Sequence, residues 1–228
     1  MAVLKYLGHS FFELVLTGLD GRTKTIAIDP WVENPLSPVK LSSYRDRRLD
    51  YVVVTHDHGD HLGNAIELAK ATGATVVSIY EIAQYAEENG AKAIGGNIGG
   101  RLSIPDLEIV LTPAYHSSSR GAPTGVVVRG LDASVYHAGD TGLFSEMSLI
   151  GELYKPDIAL LPIGGHFTMG VREAVKAVEL LRPKIAMPMH YNTFPLIKAD
   201  PDEFKKLVEA KLGVKVVVLK PGESFTYP

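Results

Sequence analysis

The sequence predicts an α/β protein, a four-layer αββα sandwich in which two mixed sheets pack face to face with helices outside. Apolar runs rich in β-branched residues first follow one another, then alternate with helical stretches, and finally return to a strand. Apolar residues make up 46% of the 228 residues, enough for a sizeable core. No linker of disordered composition divides the chain, so we expect one domain over residues 1–228.

The first half of the chain is predicted to begin with three strands and a long loop. Val3–Leu7 and Phe11–Leu16 are apolar runs of strand length, and a Gly-Leu-Asp-Gly turn leads into Thr25–Ile28. Residues 29–50 contain three prolines and are predicted to form a loop, which in compact domains is often functional. The next predicted elements are strand Tyr51–Thr55, helix Ala65–Ala71, strand Thr75–Ser78 and helix Glu81–Glu88.

The second half is predicted to be rich in strands before helices return. Its predicted strands are Leu107–Thr112, Gly125–Arg129, Ser134–His137, Ile158–Leu161, Ile185–Met189 and Val214–Leu219. Its predicted helices are Phe144–Tyr154, Arg172–Leu181 and Pro201–Lys211. This alternation favours sheets that carry helices on their outer faces.

Composition argues against several environments and partners. The formal net charge is −3 and basic residues are scattered, whereas nucleic-acid-binding domains usually carry a basic stripe. The chain has no cysteine, so neither a disulfide framework nor a thiolate metal ligand is available. No apolar run approaches the roughly 20 residues of a membrane-spanning helix, and no signal peptide is recognisable. We expect a cytoplasmic protein with a small-molecule substrate and no membrane partner; the sequence does not indicate an oligomeric state.

The strongest chemical signal is the segment Thr-His-Asp-His-Gly-Asp-His at residues 55–61, directly after an apolar strand. His56 and His58 alternate along the chain and can face one centre, while Asp60 and His61 on the following turn can reach a second. Neutral imidazoles and carboxylates suit Zn, Mn or Fe. A purely structural role would leave several titratable groups desolvated beside a buried strand. The segment therefore predicts a metal site.

Three later segments repeat the same pattern, an apolar strand that ends in a potential ligand. They end at His116, Asp140 and His190. Sheet-based folds place their sites at strand ends. Each segment is a weak signal alone, but as a set that follows the first cluster they indicate one shared metal centre.

The H-x-H-x-D-H run, the later His, the Gly-Asp pair and the final His resemble the motifs of the metallo-β-lactamase superfamily, whose fold is an αββα sandwich. Residues 6–10, 161–170 and 188–195 are similar to its branch of metal-dependent hydrolases related to the ascorbate-6-phosphate lactonases. The resemblance spans nearly the whole chain, with all metal motifs in family order. It implies a metal-dependent hydrolase with two divalent metal ions, zinc first, with manganese or iron as alternatives.

The resemblance also assigns the ligands: His56, His58 and His116 to the first metal, Asp60, His61 and His190 to the second, and Asp140 as the bridge. It implies a hydroxide shared by the metals that attacks a carbonyl or phosphoryl centre of a small lactone, ester or phosphoester. Asp60 would ligate and orient that nucleophile as a catalytic residue. True β-lactamases of this fold usually have Arg at the position of His61 and a Cys elsewhere. This chain therefore resembles the two-metal hydrolases more than the β-lactamases.

Four further residues have both a functional and a structural interpretation. His166, in a Gly-rich segment, is a candidate catalytic residue, as a substrate contact or general acid, or a structural loop residue. His9 is expected either to hydrogen-bond to a ligand or to stabilise a turn. Asp29 is expected either to orient a ligand histidine or to be a turn aspartate before proline. His137, inside a strand, is expected in the core or behind the ligands.

The loop after the third ligand segment and the overall function also leave alternatives open. Residues 117–120, Ser-Ser-Ser-Arg, could receive an anionic substrate group through Arg120, or form a solvated polar loop. One alternative function is a phosphodiesterase or nuclease acting on nucleic acid, which the acidic balance disfavours. The other is a non-catalytic metal-binding protein, although structural zinc sites are usually closed and rich in cysteine.

Overall fold

Two sheets built from thirteen strands form the centre of the computed structural model, which describes residues 1–102 and 104–228. The first sheet begins with β1 (Ala2–Tyr6), β2 (Phe12–Thr17), β3 (Thr23–Ile28), β4 (Tyr51–Val53), β5 (Thr75–Ile79) and β6 (Lys92–Gly96). The second contains β7 (Glu108–Pro113), β8 (Thr124–Arg129), β9 (Ser134–His137), β10 (Ile158–Pro162), β11 (Ile185–Met189) and β12 (Lys215–Val216). The last strand, β13 (Ser224–Tyr227), returns to the first sheet beside β1.

Each sheet is antiparallel on one side and parallel on the other. In the first sheet, antiparallel pairing joins β13, β1, β2 and β3, and parallel pairing joins β3, β4, β5 and β6. In the second, β7, β8 and β9 pair antiparallel, and β9, β10, β11 and β12 pair parallel. Strands β4, β10 and β11 are buried along their whole length, as expected of central strands in covered sheets.

The helices cover the outer faces of the two sheets. They are α1 (Ala65–Thr72), α2 (Tyr80–Glu88), α3 (Met147–Tyr154), α4 (Val171–Leu181) and α5 (Pro201–Leu212), with short 3-10 turns at Leu41–Tyr44 and Pro195–Ile197. Helices α1 and α2 pack on β4, β5 and β6, while α4 packs on β10 and contacts both α3 and α5. The predicted four-layer sandwich is therefore confirmed.

Local sequence sets the ends of these helices. Helix α5 begins after Asp200, whose carboxylate accepts a hydrogen bond from the backbone N–H of Asp202, and Pro201 occupies its first position. It ends at Gly213, where φ is 65° and glycine is the residue that adopts this conformation most readily. Among the residues that the structure describes, none of the helices is both long and apolar enough to cross a bilayer.

Several predicted elements have different bounds in the structure. Strands β6 and β13 were not predicted, because they are short strands at the two edges of the first sheet and contain no fully buried residue, which leaves a weak apolar pattern. The predicted strand Val214–Leu219 is reduced to β12, because only its first part pairs with β11 before Pro221. Helix α3 begins at Met147, after a turn at residues 145–146, instead of at Phe144.

The ends of six strands bring the candidate site residues to one end of the sandwich. Asp29 follows β3, His56 follows β4 after two residues, and His190 follows β11 directly. His9 lies three residues after β1, His116 three residues after β7 and Asp140 three residues after β9. The loops that leave these carboxyl ends form the site, as is common in sheet-based folds.

Candidate metal centre

The first group of potential ligands contains three histidines. Nε2 of His56 lies 3.0 Å from Nδ1 of His58, and Nε2 of His116 lies 3.3 Å from the same atom. His56 is buried, whereas His58 and His116 are only half-buried. Each side chain offers one ring nitrogen, and these atoms lie within 4.8 Å of one another, close enough to hold one cation.

The second group contains Asp60, His61 and His190, together with His9. One ligand atom from each of these four residues lies within 4.8 Å of the others. Oδ2 of Asp60 is 3.0 Å from Nε2 of His9 and 3.9 Å from Nε2 of His190. The rings of His9 and His190 pack with their centroids 4.1 Å apart.

Asp140 lies between the two groups. Its Oδ1 is 3.2 Å from Nε2 of His61, and its Oδ2 is 3.0 Å from Nε2 of His190 and 3.5 Å from Nε2 of His116. The carboxylate thus contacts members of both groups.

Buried atoms without partners test whether these residues fit a metal. Within the described part of the chain, Nε2 of His61, Nε2 of His190 and Oδ1 of Asp140 are buried and have no hydrogen-bond partner. They lie close together but are not aligned for hydrogen bonding. Burying polar atoms without a hydrogen-bond partner costs free energy, and a bound cation would give these atoms a partner. The donors are imidazole nitrogens and carboxylate oxygens, a set that fits Zn and also Mn or Fe.

The electrostatics of the cluster favour positive charge at its centre. Burial alone would raise the pKa of Asp140, but His61 and His190 hold it well below its ordinary value. Burial alone would lower the pKa of His61, yet Asp140 and Asp29 raise it well above its ordinary value. Burial and the neighbouring His61 lower the pKa of His56 to about 3, so this imidazole is neutral and can act as a ligand.

Asp29 holds His61 in one orientation. Its Oδ2 is 2.8 Å from Nδ1 of His61 and also accepts a hydrogen bond from Oγ1 of Thr55 at 2.7 Å. Its Oδ1 accepts from the backbone N–H of Thr55 at 2.8 Å. Because a carboxylate accepts the Nδ1 proton, a neutral His61 leaves its Nε2 lone pair free for a cation on the side of Asp140. Without a cation, the raised pKa of His61 means that Nε2 carries a proton and faces the Asp140 carboxylate. The interpretation of Asp29 as the residue that orients a ligand histidine agrees with this geometry.

His9 hydrogen-bonds to Asp60, a potential ligand of the second group. The carboxylate can only accept, so Nε2 of His9 donates to Asp60, and Nδ1 accepts from the hydroxyl of Thr193 at 2.8 Å. Burial lowers the pKa of His9 to about 4 despite the hydrogen bond to Asp60, so the ring is neutral. His9 also contributes to local structure, since its carbonyl accepts from the backbone N–H of His190 at 2.8 Å.

His137 is fully buried and bonded only to backbone groups. Its Nδ1 accepts from the N–H of Gly139 at 3.1 Å, and its Nε2 donates to the carbonyl of Ser10 at 2.9 Å. Both ring nitrogens are therefore occupied, which places His137 behind the ligands as a structural residue. It ties β9 to the loop that carries His9.

Asp57 joins the two loops that carry the first group of ligands. Its carboxylate accepts from Oγ of Ser118 at 2.9 Å, from the N–H of Ser119 at 2.8 Å and from Nη1 of Arg120 at 3.1 Å. The Arg120 guanidinium also lies over the ring of Tyr85, 4.1 Å from its centroid. The segment 117–120 is thus neither a free solvated loop nor an open anion receptor, because Arg120 is paired with Asp57.

A cavity of about 300 Å³ opens beside the ligands. Five potential ligands line it, and the rest of its lining is Ser117, Phe167 and Phe194. The exposed ring of His166 packs instead against Phe167, with the centroids 4.4 Å apart. The structure therefore places Phe167 in the lining and His166 outside it.

Three residues of the cluster occupy strained backbone conformations, as does His166 outside the cavity, where φ is 59°. The φ angles of His9, Asp29 and His190 are 56°, 48° and 53°, in the left-handed region that non-glycine residues rarely adopt. Such strain concentrates at functional sites, where surrounding contacts maintain it. Here it turns each side chain toward the cluster directly after a strand or turn.

Five residues at the site were not predicted from the sequence: Thr55, Asp57, Thr193, Phe167 and Phe194. Thr55 and Asp57 adjoin His56 in the motif, so their position was a usable signal. Thr193 is 184 residues from His9 in the chain, and only the fold brings the two together. Phe167 and Phe194 lie in segments already noted for their resemblance to the metal-dependent hydrolases.

Comparison with known proteins agrees with this geometry. Residues 24–191 match the family described as the beta-lactamase superfamily domain. A metal-dependent hydrolase of Staphylothermus marinus is 75% identical over 228 residues, and the alignment covers 100% of both chains. One from Thermofilum pendens is 67% identical, again over 100% of both chains. A solved metallo hydrolase from Ignicoccus hospitalis is 50% identical with a TM-score of 0.91, covering 100% of this chain and 99% of its own.

The four-layer fold and the His/Asp cluster at its strand ends are those of a metallo-β-lactamase-fold hydrolase. The chain belongs to the metallo-β-lactamase superfamily. Within that superfamily it is one of the metal-dependent hydrolases, which confirms both the predicted family and the predicted class of enzyme.

Proposed function

We propose that this enzyme hydrolyses small molecules with two divalent metal ions, zinc in the first place and manganese or iron as alternatives. The observation that supports this most directly is the position of Asp140, which contacts His61, His116 and His190 from both groups of ligands. A single metal ion would need only one of the two groups of potential ligands. Two groups that share a buried carboxylate match the arrangement of two-metal hydrolases.

The proposed ligands follow the two groups. The first metal is held by His56, His58 and His116, and the second by Asp60, His61 and His190, with Asp140 shared. When bound, the two cations supply Lewis acidity and lower the pKa of coordinated water toward neutrality, for attack on a carbonyl or phosphoryl centre.

The protein residues contribute orientation and proton transfer. Asp60 lines the cavity and accepts a hydrogen bond from His9, which supports a role for its carboxylate in orienting the attacking water and, after attack, in passing on its proton. Asp29 keeps the lone pair of His61 directed at the cluster. The cavity of about 300 Å³ is at the small end of ligand pockets, which supports a small-molecule substrate over a polymer. The absence of cysteine is consistent with the cytoplasm, where we place the enzyme.

Hydrolysis assays of the zinc-, manganese- and iron-loaded protein test this proposal. We expect turnover of at least one of p-nitrophenyl acetate, a γ-lactone and bis-p-nitrophenyl phosphate, lost on chelation and restored by metal. Asp140→Ala should lose that activity in parallel. Activity that persists in Asp140→Ala or after complete metal removal would contradict the proposal. Tight, salt-sensitive binding and cleavage of an oligonucleotide would favour the nuclease interpretation instead.

A further inference from the structure

Beyond the potential metal ligands, the lining of the cavity offers two aromatic rings and one hydroxyl group. Apart from five potential ligands, its lining consists of Phe167, Phe194 and the hydroxyl-bearing Ser117. Among the residues that the structure describes, the lining includes neither lysine nor arginine. Nothing in it therefore provides a protein cation for a substrate carboxylate or phosphate remote from the metals.

The two phenylalanines are held in place relative to the ligands. The loop of Phe167 is closed by a hydrogen bond from the N–H of Gly165 to the carbonyl of Met169 at 3.0 Å. The N–H of Met169 in turn donates to the carbonyl of Thr141 at 2.9 Å, next to Asp140 in the chain. The ring of Phe194 lies with its centroid 5.6 Å from that of His9. Phe167 remains 48% exposed beside the cavity, so its ring is accessible to a bound substrate group.

The nearest arginine in sequence to the ligands is already engaged. Arg120 donates to the buried carboxylate of Asp57 at 3.1 Å and stacks over Tyr85. Turning it into the cavity would break its ion pair with Asp57 and leave that buried carboxylate with the Ser118 hydroxyl and the Ser119 N–H in place of a charged partner, which is unfavourable. Arg120 therefore does not serve as a receptor for an anionic substrate group.

We propose that the site selects substrates whose scissile carbonyl carries a compact, uncharged apolar group that contacts Phe167 and Phe194. The proposal rests on the proposed function and narrows its substrate class to esters and lactones of this kind. A carboxylate or phosphate in that position would lose its hydration against aromatic carbon without an ionic partner. In the reaction, the oxygen of water bonds to the carbonyl carbon and the bond to the leaving oxygen breaks. One proton of water then ends on the released alcohol, and the other is released from the acid.

A matched pair of esters tests the proposal in the metal-loaded enzyme. p-Nitrophenyl pentanoate and mono-p-nitrophenyl glutarate share a leaving group and a five-carbon acyl chain but differ in a terminal carboxylate. We expect kcat/KM to be about tenfold or more higher for the pentanoate. Phe167→Ala should raise KM for the pentanoate and reduce the ratio, whereas Leu153→Ala, a similarly exposed apolar residue on α3, should change neither. Equal or higher kcat/KM for the glutarate would overturn the proposal.

Calorimetric binding supplies a readout that does not depend on turnover. Pentanohydroxamic acid and glutaric monohydroxamate carry the same metal-binding group and again differ in the terminal carboxylate. The apolar hydroxamate should bind the metal-loaded protein about tenfold more tightly, and Phe167→Ala should remove most of that difference. Tighter binding of the charged hydroxamate, or no binding of either by protein containing two metals, would overturn the proposal. Protein that takes up no metal would instead contradict the proposed function, so the two failures are distinguishable.

Discussion

Oδ2 of Asp29 lies 2.8 Å from Nδ1 of His61, and both side chains are completely buried. This contact determines which ring nitrogen of His61 faces Asp140. Thr55 supplies two further hydrogen bonds to the same carboxylate, so its position is fixed by the chain that leads into the H-x-H-x-D-H motif. The orientation of the ligand is therefore set by the fold before any metal binds.

Replacing Asp29 with Asn should weaken metal binding without removing any ligand. The amide keeps the size of the side chain but loses one acceptor and the negative charge beside His61. We expect the affinity for the more weakly held metal to fall about 10- to 100-fold, as for other groups that orient metal ligands. Competition with a chromophoric chelator measures this affinity directly.

Asp132→Asn provides a matched control for that variant. Asp132 also accepts from the backbone N–H and Oγ1 of a single threonine, Thr17, at 2.9 and 2.8 Å. It lies beside the N-terminus and not among the ligands. Metal affinity should be unchanged in this control. An equal loss of affinity in both variants would show that the effect of Asp29→Asn is general destabilisation.

Thr193→Val should reduce activity through His9. The substitution removes the hydroxyl that donates to Nδ1 of His9, and with it the constraint that directs Nε2 toward Asp60. We expect kcat to fall about tenfold while the metal content stays near the wild-type value. Thr193→Ser retains the hydroxyl and should retain most of the activity. Equal activity of the two variants would contradict the positioning role of this contact.

Asp57→Ala should destabilise the protein by about 1–3 kcal/mol, because it leaves three donors in residues 118–120 without their acceptor. Guanidinium unfolding of the metal-free protein gives this value without a contribution from metal binding. The surface pair of Arg48 and Asp50 is the contrast, since the Arg48 side chain is 85% exposed. Arg48→Ala should therefore cost less than about 0.5 kcal/mol. A comparable loss in both variants would count against an anchoring role for Asp57.

Asp106 should make stability depend on pH. Burial alone would raise the pKa of Asp106, but hydrogen bonds from Lys24 and Tyr51 hold it below its ordinary value of 3.8. Because the folded pKa is depressed, the stabilisation is present above pH 3.8 and is lost as the pH falls through the folded pKa. Asp106→Asn should therefore be less stable than wild type by about 1 kcal/mol at pH 6, and the difference should shrink below pH 4. A difference that stays constant from pH 6 to pH 2 would contradict this account.

The part of the fold that could be predicted is the part with a strong apolar pattern. β4 and β11 are buried runs that lead to His56 and His190, and their continuous apolar composition identified both. The edge strands β6 and β13 escaped prediction because neither contains a fully buried residue, and β13 pairs with β1 at the opposite end of the chain. Val214–Leu219 was predicted too long, since its apolar composition does not show where pairing with β11 stops.

The residues that the structure brings together as potential ligands could be named from the sequence because metal chemistry restricts residue types and spacing. The contacts that hold these side chains in place were harder to predict. The pairing of His9 with Thr193 and Asp60 depends on a left-handed backbone at His9 and on loops from distant strands, neither of which has a pattern in the sequence. His166 and Phe167 are adjacent, and sequence alone could not show that Phe167 is the one that lines the cavity.

The most direct test of the account is the metal content of the purified protein and of Asp140→Ala, measured by elemental analysis after loading with zinc, manganese or iron. We expect close to two metal ions per chain in the wild type and a clear loss in the variant, because Asp140 contacts members of both groups of potential ligands. At most one metal ion per chain in the wild type, or two in Asp140→Ala, would contradict it.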